Sequence, residues 1–164
     1  MHIWTIEKWE KYYDLSNPKH RIGVRLRIDN GVDPEVRAAC KKFLTWLRSK
    51  YFFPVRVPIY IKASETVKAS DGEMVSAIFQ PTHDEHGKHL EPYISVAAGD
   101  YYDILKRRGR DNALAAILCS IAHELTHYFQ WINYLKLTKI GEERQAKAYV
   151  DFIIDDYKDY TEHP

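Results

Sequence analysis

The sequence predicts an α+β domain. Its expected form is a twisted sheet of about three to four strands, mixed or mostly antiparallel, packed on a preceding helix, a long central helix and a final helix. Strand-period alternation recurs in short segments: Ile22, Val24, Leu26 and Ile28 are set against Arg21, Arg25 and Arg27. Longer segments carry apolar residues at helical spacing instead, the longest around residues 111–132. A chain of 164 residues suits one core, so residues 1–164 are read as a single domain.

In chain order, residues 1–30 begin with an aromatic arm (Trp4, Trp9, Tyr12, Tyr13) and end in the strand 21–28. The arm is expected to pack against the sheet, with a regulatory position over a cleft as the alternative. Asp33 then caps a helix with Pro34 at its first position, and Val36, Cys40, Phe43, Leu44 and Leu47 follow at helical spacing. In residues 55–62 Val55, Val57, Ile59 and Ile61 share a strand face, and Pro58 argues for an edge or a bulge there. Asp71-Gly72 reads as a turn and residues 73–80 as a strand. Gln80 to Pro92 is a polar loop. Its His83, His86 and His89 are read as surface residues around Gly87, with a second metal site or a flap as alternatives. Residues 93–99 form a further strand, and KRRGR (106–110) a solvated basic link. Asp111 or Asn112 caps the long helix, Gly141 marks a break, and the last helix runs from about Glu142 to Tyr157.

The composition narrows the partners. Lys and Arg number 24 against 23 Asp and Glu, a net charge of +1, so nothing global calls for a nucleic acid or an anionic membrane. Cys40 and Cys119 form no C-x-x-C pair and no disulfide framework. The start of the sequence lacks the pattern of a signal peptide. The longest apolar run, Ala113 to Ala122, falls short of the ~20 residues of a membrane span. A cytoplasmic protein is expected, and a monomer.

The chemistry concentrates in His123-Glu124-Leu125-Thr126-His127. Histidines four apart on a helix project from one face, within reach of one ion such as Zn²⁺. The glutamate after the first lies to the side of the ion, where it can take a proton from water. A shuffled chain of this composition shows the H-E-x-x-H pattern roughly 3% of the time, so the surrounding helix has to decide. There Leu114, Ile117, Leu118, Ile121, Leu125 and Ile132 form a stripe opposite His123. The histidine face carries Asn112, Ala116, Cys119, Ser120, Thr126, Gln130 and Tyr134, small or polar as a cleft wall requires. A catalytic zinc takes a third protein ligand. Gln130 and Asn133 stand where a metzincin has glycine and histidine, so that class is disfavoured. The third ligand is sought in the last helix: Glu143 shares a face with Ala146, Val150, Ile154 and Tyr157, Glu142 is its neighbour, and Asp151 is a further option. Returning Glu143 to the histidines requires the long helix to end or bend between about Gln130 and Leu135, because each further residue carries the chain ~1.5 Å away.

These residues resemble the gluzincins, the thermolysin-like zinc metallopeptidases, in a minimal single-domain form. The shared pieces are the motif at 123–127 and the downstream E-x-x-A of Glu143-Arg144-Gln145-Ala146. The resemblance spans about residues 111–157. It implies a zincin-like fold, a zinc cofactor held by His123, His127 and Glu143, Glu124 as general base, and a peptide or protein substrate. It also implies a strand at the sheet edge that pairs with extended substrate, for which 93–99 is the expected segment, and a tyrosine or histidine that stabilises the oxyanion. Tyr128, Tyr134, Tyr149, Tyr157 and His163 are available, and Tyr157 is expected because it shares the Glu143 face. Lys147 stands where the family often has aspartate, so the surroundings of the ligands differ. The rival readings are a binding or regulatory module that keeps the shell without turnover, and a zinc hydrolase with a non-peptide substrate. An intact Glu124 argues against the first.

Overall fold

Asp33 starts the first long helix. Its carboxylate accepts from the Glu35 amide at 2.7 Å, and Pro34 fills the first helical position, where no amide hydrogen is needed. In the computed structural model, which describes residues 2–81 and 91–164, this helix is α1, Pro34–Lys50. It follows β1, Val24–Ile28, and leads into β2, Val57–Lys62. Asp33→Ala removes the cap and should cost about 1 kcal/mol in a denaturant melt, since the Glu35 amide then lacks its partner.

The remaining elements are the short strands β3 (Val67–Lys68) and β4 (Met74–Val75), then β5 (Ala77–Gln80), β6 (Tyr93–Ala97), α2 (Tyr101–Arg108), α3 (Arg110–Ile132) and α4 (Lys139–Tyr160). A four-stranded sheet runs in the order β1-β2-β6-β5, and β3 and β4 make a separate hairpin. The domain is α+β and the main sheet is mixed, but parallel pairing dominates it. β1 with β2 and β2 with β6 are parallel, and only β5 with β6 is antiparallel.

Two strand expectations are corrected by this order. β2 is central rather than an edge, despite Pro58. Its pairing with β6 begins at Ile59↔Ile94, one residue after Pro58, so the missing amide hydrogen falls where that ladder has not started. The strand at 93–97 is also central, between β2 and β5, so the edge beside the long helix is β5. Gly99 ends this strand against the β2–β3 connection. A side chain there would come within 2.5 Å of the Ala63 carbonyl oxygen.

The helices differ from expectation at their ends. The basic segment is not a link: Lys106, Arg107 and Arg108 close α2, favourably for its dipole. Gly109, at φ +81°, breaks the chain and precedes α3, so neither Asp111 nor Asn112 caps it. Gly141 is no break either. It sits in the first turn of α4, and its amide donates to the capping Thr138 hydroxyl. The Asp71-Gly72 turn joins β3 to β4, with Gly72 at φ +90°.

α3 buries the expected stripe: Leu114, Ile117, Leu118, Ile121, Leu125 and Ile132 are all within the core. The helix packs on α1, α2, α4, β5 and β6. The N-terminal arm packs on helices α3 and α4, and its Tyr12 and Tyr13 rings lie against Tyr134 and Trp131 at the end of α3. Trp4 stacks on Phe129 at 5.0 Å and donates from Nε1 to Thr126, and the Ile3 amide donates to the Tyr149 hydroxyl. Among the described residues, no helix is long and apolar enough to cross a membrane.

Candidate metal centre

The end of α3 decides where the site forms. Asn133 caps the helix and Tyr134 turns left-handed at φ +50°. The Tyr134 amide then donates to the Trp131 carbonyl and the Leu135 amide to the Gln130 carbonyl, the paired bonds of a Schellman stop. The chain reverses within the expected window, and α4 begins at Lys139. This brings Glu143 back over the preceding turns of α3.

His123 Nε2 and His127 Nε2 lie 3.2 Å apart. Glu143 Oε2 is 3.3 Å from the first and Oε1 is 3.1 Å from the second. Two donors about 2.0–2.1 Å from one tetrahedral ion stand ~3.3 Å apart, the spacing of the two histidine nitrogens here, and each histidine faces a different oxygen of Glu143. The three side chains could hold one metal ion, their ligand atoms lying within 4.8 Å of one another, and among the described residues this is the one cluster of this kind. Both histidines are half-buried and Glu143 is about half exposed. Burial and the neighbouring His127 hold His123 below the usual imidazole range, which favours the neutral form that a metal needs.

Glu124 stands beside this cluster with only 7% of its surface exposed. Burial, reinforced by the Glu143 charge, pushes its carboxyl up to about 8, although the Phe79 backbone amide donates to it. A carboxyl with a raised proton affinity at a cleft wall is suited to proton transfer.

The cleft has a volume of about 760 Å³ and lies between β5 and the C-terminal half of α3. His123, Glu124, His127 and Glu143 line it, with an apolar wall from Phe79, Trp131 and Leu135. A second hollow continues past His123 and Glu124 along Ser76, Ala77, Cys119 and Ser120, so the depression extends to both sides of the donor cluster.

The sequence expectations meet this geometry unevenly. His123, His127, Glu143 and Glu124 come together. Glu142 lines the cleft, but its carboxylate is outside the donor cluster, and Asp151 is also outside. Tyr157 is a correction. It lies in an aromatic cluster with Phe43, Trp46 and Tyr160, is 3% exposed, and sits about four helical turns beyond Glu143, so its hydroxyl does not reach the cleft. Tyr128 is locked to the Val55 backbone, Tyr149 accepts from Ile3, and His163 pairs with Asp111. Tyr134 alone of the five lines the cleft. Thr126, expected on the cleft face, is instead buried under Trp4. The histidines at 83, 86 and 89 lie outside the described residues.

No family model, no curated protein and no solved structure matches this chain.

Gln130 is the residue whose part the sequence reading missed. Its Oε1 stands 2.8 Å from His127 Nδ1, while its Nε2 donates to the Glu142 carbonyl and to Gln145 Oε1, each at 3.0 Å. Its spacing of three from His127 on the same helix face was the available signal.

Proposed function

We propose that this protein is a zinc-dependent metallopeptidase of gluzincin type, with His123, His127 and Glu143 as ligands and Glu124 as general base. The observation that supports this reading is the donor cluster, with the two histidine nitrogens 3.2 Å apart and a Glu143 oxygen 3.1–3.3 Å from each, beside a buried carboxyl. A bound zinc ion supplies Lewis acidity, polarising a scissile carbonyl and bringing the pKa of water toward ~7.

The chain's own residues supply the rest. A Glu124 carboxylate oxygen takes the proton from the attacking water and returns it to the leaving amine nitrogen. Its burial holds that proton away from bulk solvent. The Tyr134 hydroxyl, just past the end of α3, lines the cleft and is a donor that an oxyanion could take.

Among the described residues no strand pairs with the outer edge of β5, which is suited to an extended peptide. Ser76 accepts from the Ala97 amide, so Ser76, Ile78 and Gln80 turn their backbone groups toward β6. The Ala77 backbone groups and the Phe79 carbonyl turn outward along the cleft, the Phe79 amide being taken by Glu124, and there a peptide could add as a further strand. The apolar wall of Phe79, Trp131 and Leu135 gives a side chain of that peptide a place to bury.

Metal analysis of the purified protein should find about one zinc per chain. Glu142→Gln should retain it and Glu143→Ala should lose it, because only the second removes a donor from the cluster. Proteome-wide cleavage profiling of wild type against Glu124→Gln tests the activity itself. The absence of any difference would leave the peptidase reading without support.

A further inference from the structure

We infer that Gln130 is the positioning residue of this centre, fixing His127 in its metal-binding form and tying the helix that carries Glu143 to the helix that carries the histidines. The inference rests on the zinc reading above.

The argument begins with which end of the amide faces the histidine. One amide atom of Gln130 lies 3.0 Å from the Glu142 carbonyl oxygen, which can only accept. That atom is therefore the NH₂, and it spends its second hydrogen on Gln145 Oε1. The remaining atom, the carbonyl oxygen, faces His127 Nδ1 at 2.8 Å. A carbonyl oxygen only accepts, so Nδ1 carries the proton of the neutral ring and Nε2 is left with its lone pair. That lone pair is directed at the donor cluster, 3.1 Å from Glu143 Oε1.

Gln130 is only 4% exposed, so water does not compete for these bonds. Its other partners lie on the first turns of α4, on either side of Glu143. One side chain thus orients a ligand on α3 and holds in place the turn that presents the ligand from α4. His123 has no such support: among the described residues nothing accepts from its Nδ1, and Lys147 contributes a like charge nearby. The burden of orientation falls on Gln130.

Gln130→Met keeps the length of the side chain and removes every hydrogen bond. Zinc affinity, measured by competition with a chelator, should fall by about 10–100-fold. The thermal midpoint of the metal-free variant is measured alongside. A lowered midpoint with unchanged zinc affinity would show a merely structural residue and overturn the inference. A second measurement needs no variant: long-range proton–nitrogen spectra of the ¹⁵N-labelled, metal-free wild type at a pH where imidazole is neutral. His127 is expected with its proton on Nδ1, and a proton on Nε2 would overturn the inference. Wild-type protein that binds no zinc overturns the metal centre itself, an outcome separate from the tautomer result.

Discussion

Replacing Glu124 with glutamine should lower peptide hydrolysis by ~10²–10⁴-fold while leaving zinc bound. Glutamine occupies nearly the same volume in this buried position and still accepts from the Phe79 amide, so the cleft wall is retained. What it cannot do is carry a proton from water to the leaving nitrogen. The ion stays because Glu124 is not in the donor cluster, which consists of His123, His127 and Glu143. Burial of the carboxyl costs the folded protein, so the neutral amide should not lower the thermal midpoint of the metal-free form. The three readings belong in one experiment: zinc per chain, turnover and midpoint. Turnover that survives with zinc bound would remove Glu124 from the mechanism. Turnover and zinc lost together would point to a ligand role that the geometry does not give it.

The parts of this site that lie within one helical turn were legible in the sequence. Spacing alone puts His123 and His127 on one face and Glu124 to the side, and the apolar stripe opposite says which face is free. Glu143 was reachable because returning it to the histidines demands a tight helix stop, which Asn133, Tyr134 and Leu135 make. That stop uses a tyrosine in the left-handed conformation where glycine is the usual signal, so its form was hidden even though its place was not. Strand order was illegible for a different reason. Alternation tells that β5 and β6 are strands, but which of them is the edge depends on pairing between segments distant in the chain. Tyr157 misled because it shares a helix face with Glu143, and a face says nothing of distance along the axis. Two further misreadings came from treating residue type as destiny. Charge in KRRGR concealed the end of α2, and Pro58 suggested an edge although its missing hydrogen bond falls at the start of a ladder. Gln130 was noticed as a departure from another class of zinc site. Its positive part required the α4 backbone that no local pattern supplies.

Trp4→Ala should destabilise the protein by about 3–5 kcal/mol, although residue 4 lies far in sequence from every other part of the site. Its indole is 2% exposed, stacked on Phe129 at 5.0 Å and set edge-on to Tyr51 at 5.0 Å, so truncation leaves a large cavity against α3. For a chain of this size that corresponds to a fall in thermal midpoint of roughly 6–20 °C. Trp4→Phe separates the two contributions. It keeps most of the packing and loses the bond from Nε1 to the Thr126 hydroxyl, whose own hydrogen still goes to the Ala122 carbonyl. That variant should therefore lose much less than the alanine one, since the hydroxyl is not left without a partner. The consequence reaches the donor cluster because Thr126, buried under Trp4, lies between the two histidines along α3. The arm and β5 thus both pack on the C-terminal turns of α3, and a metal ion, if the folded protein binds one, should offset part of the loss. A midpoint within a few degrees of wild type would mean that the arm is peripheral and that α3 holds its histidines without it.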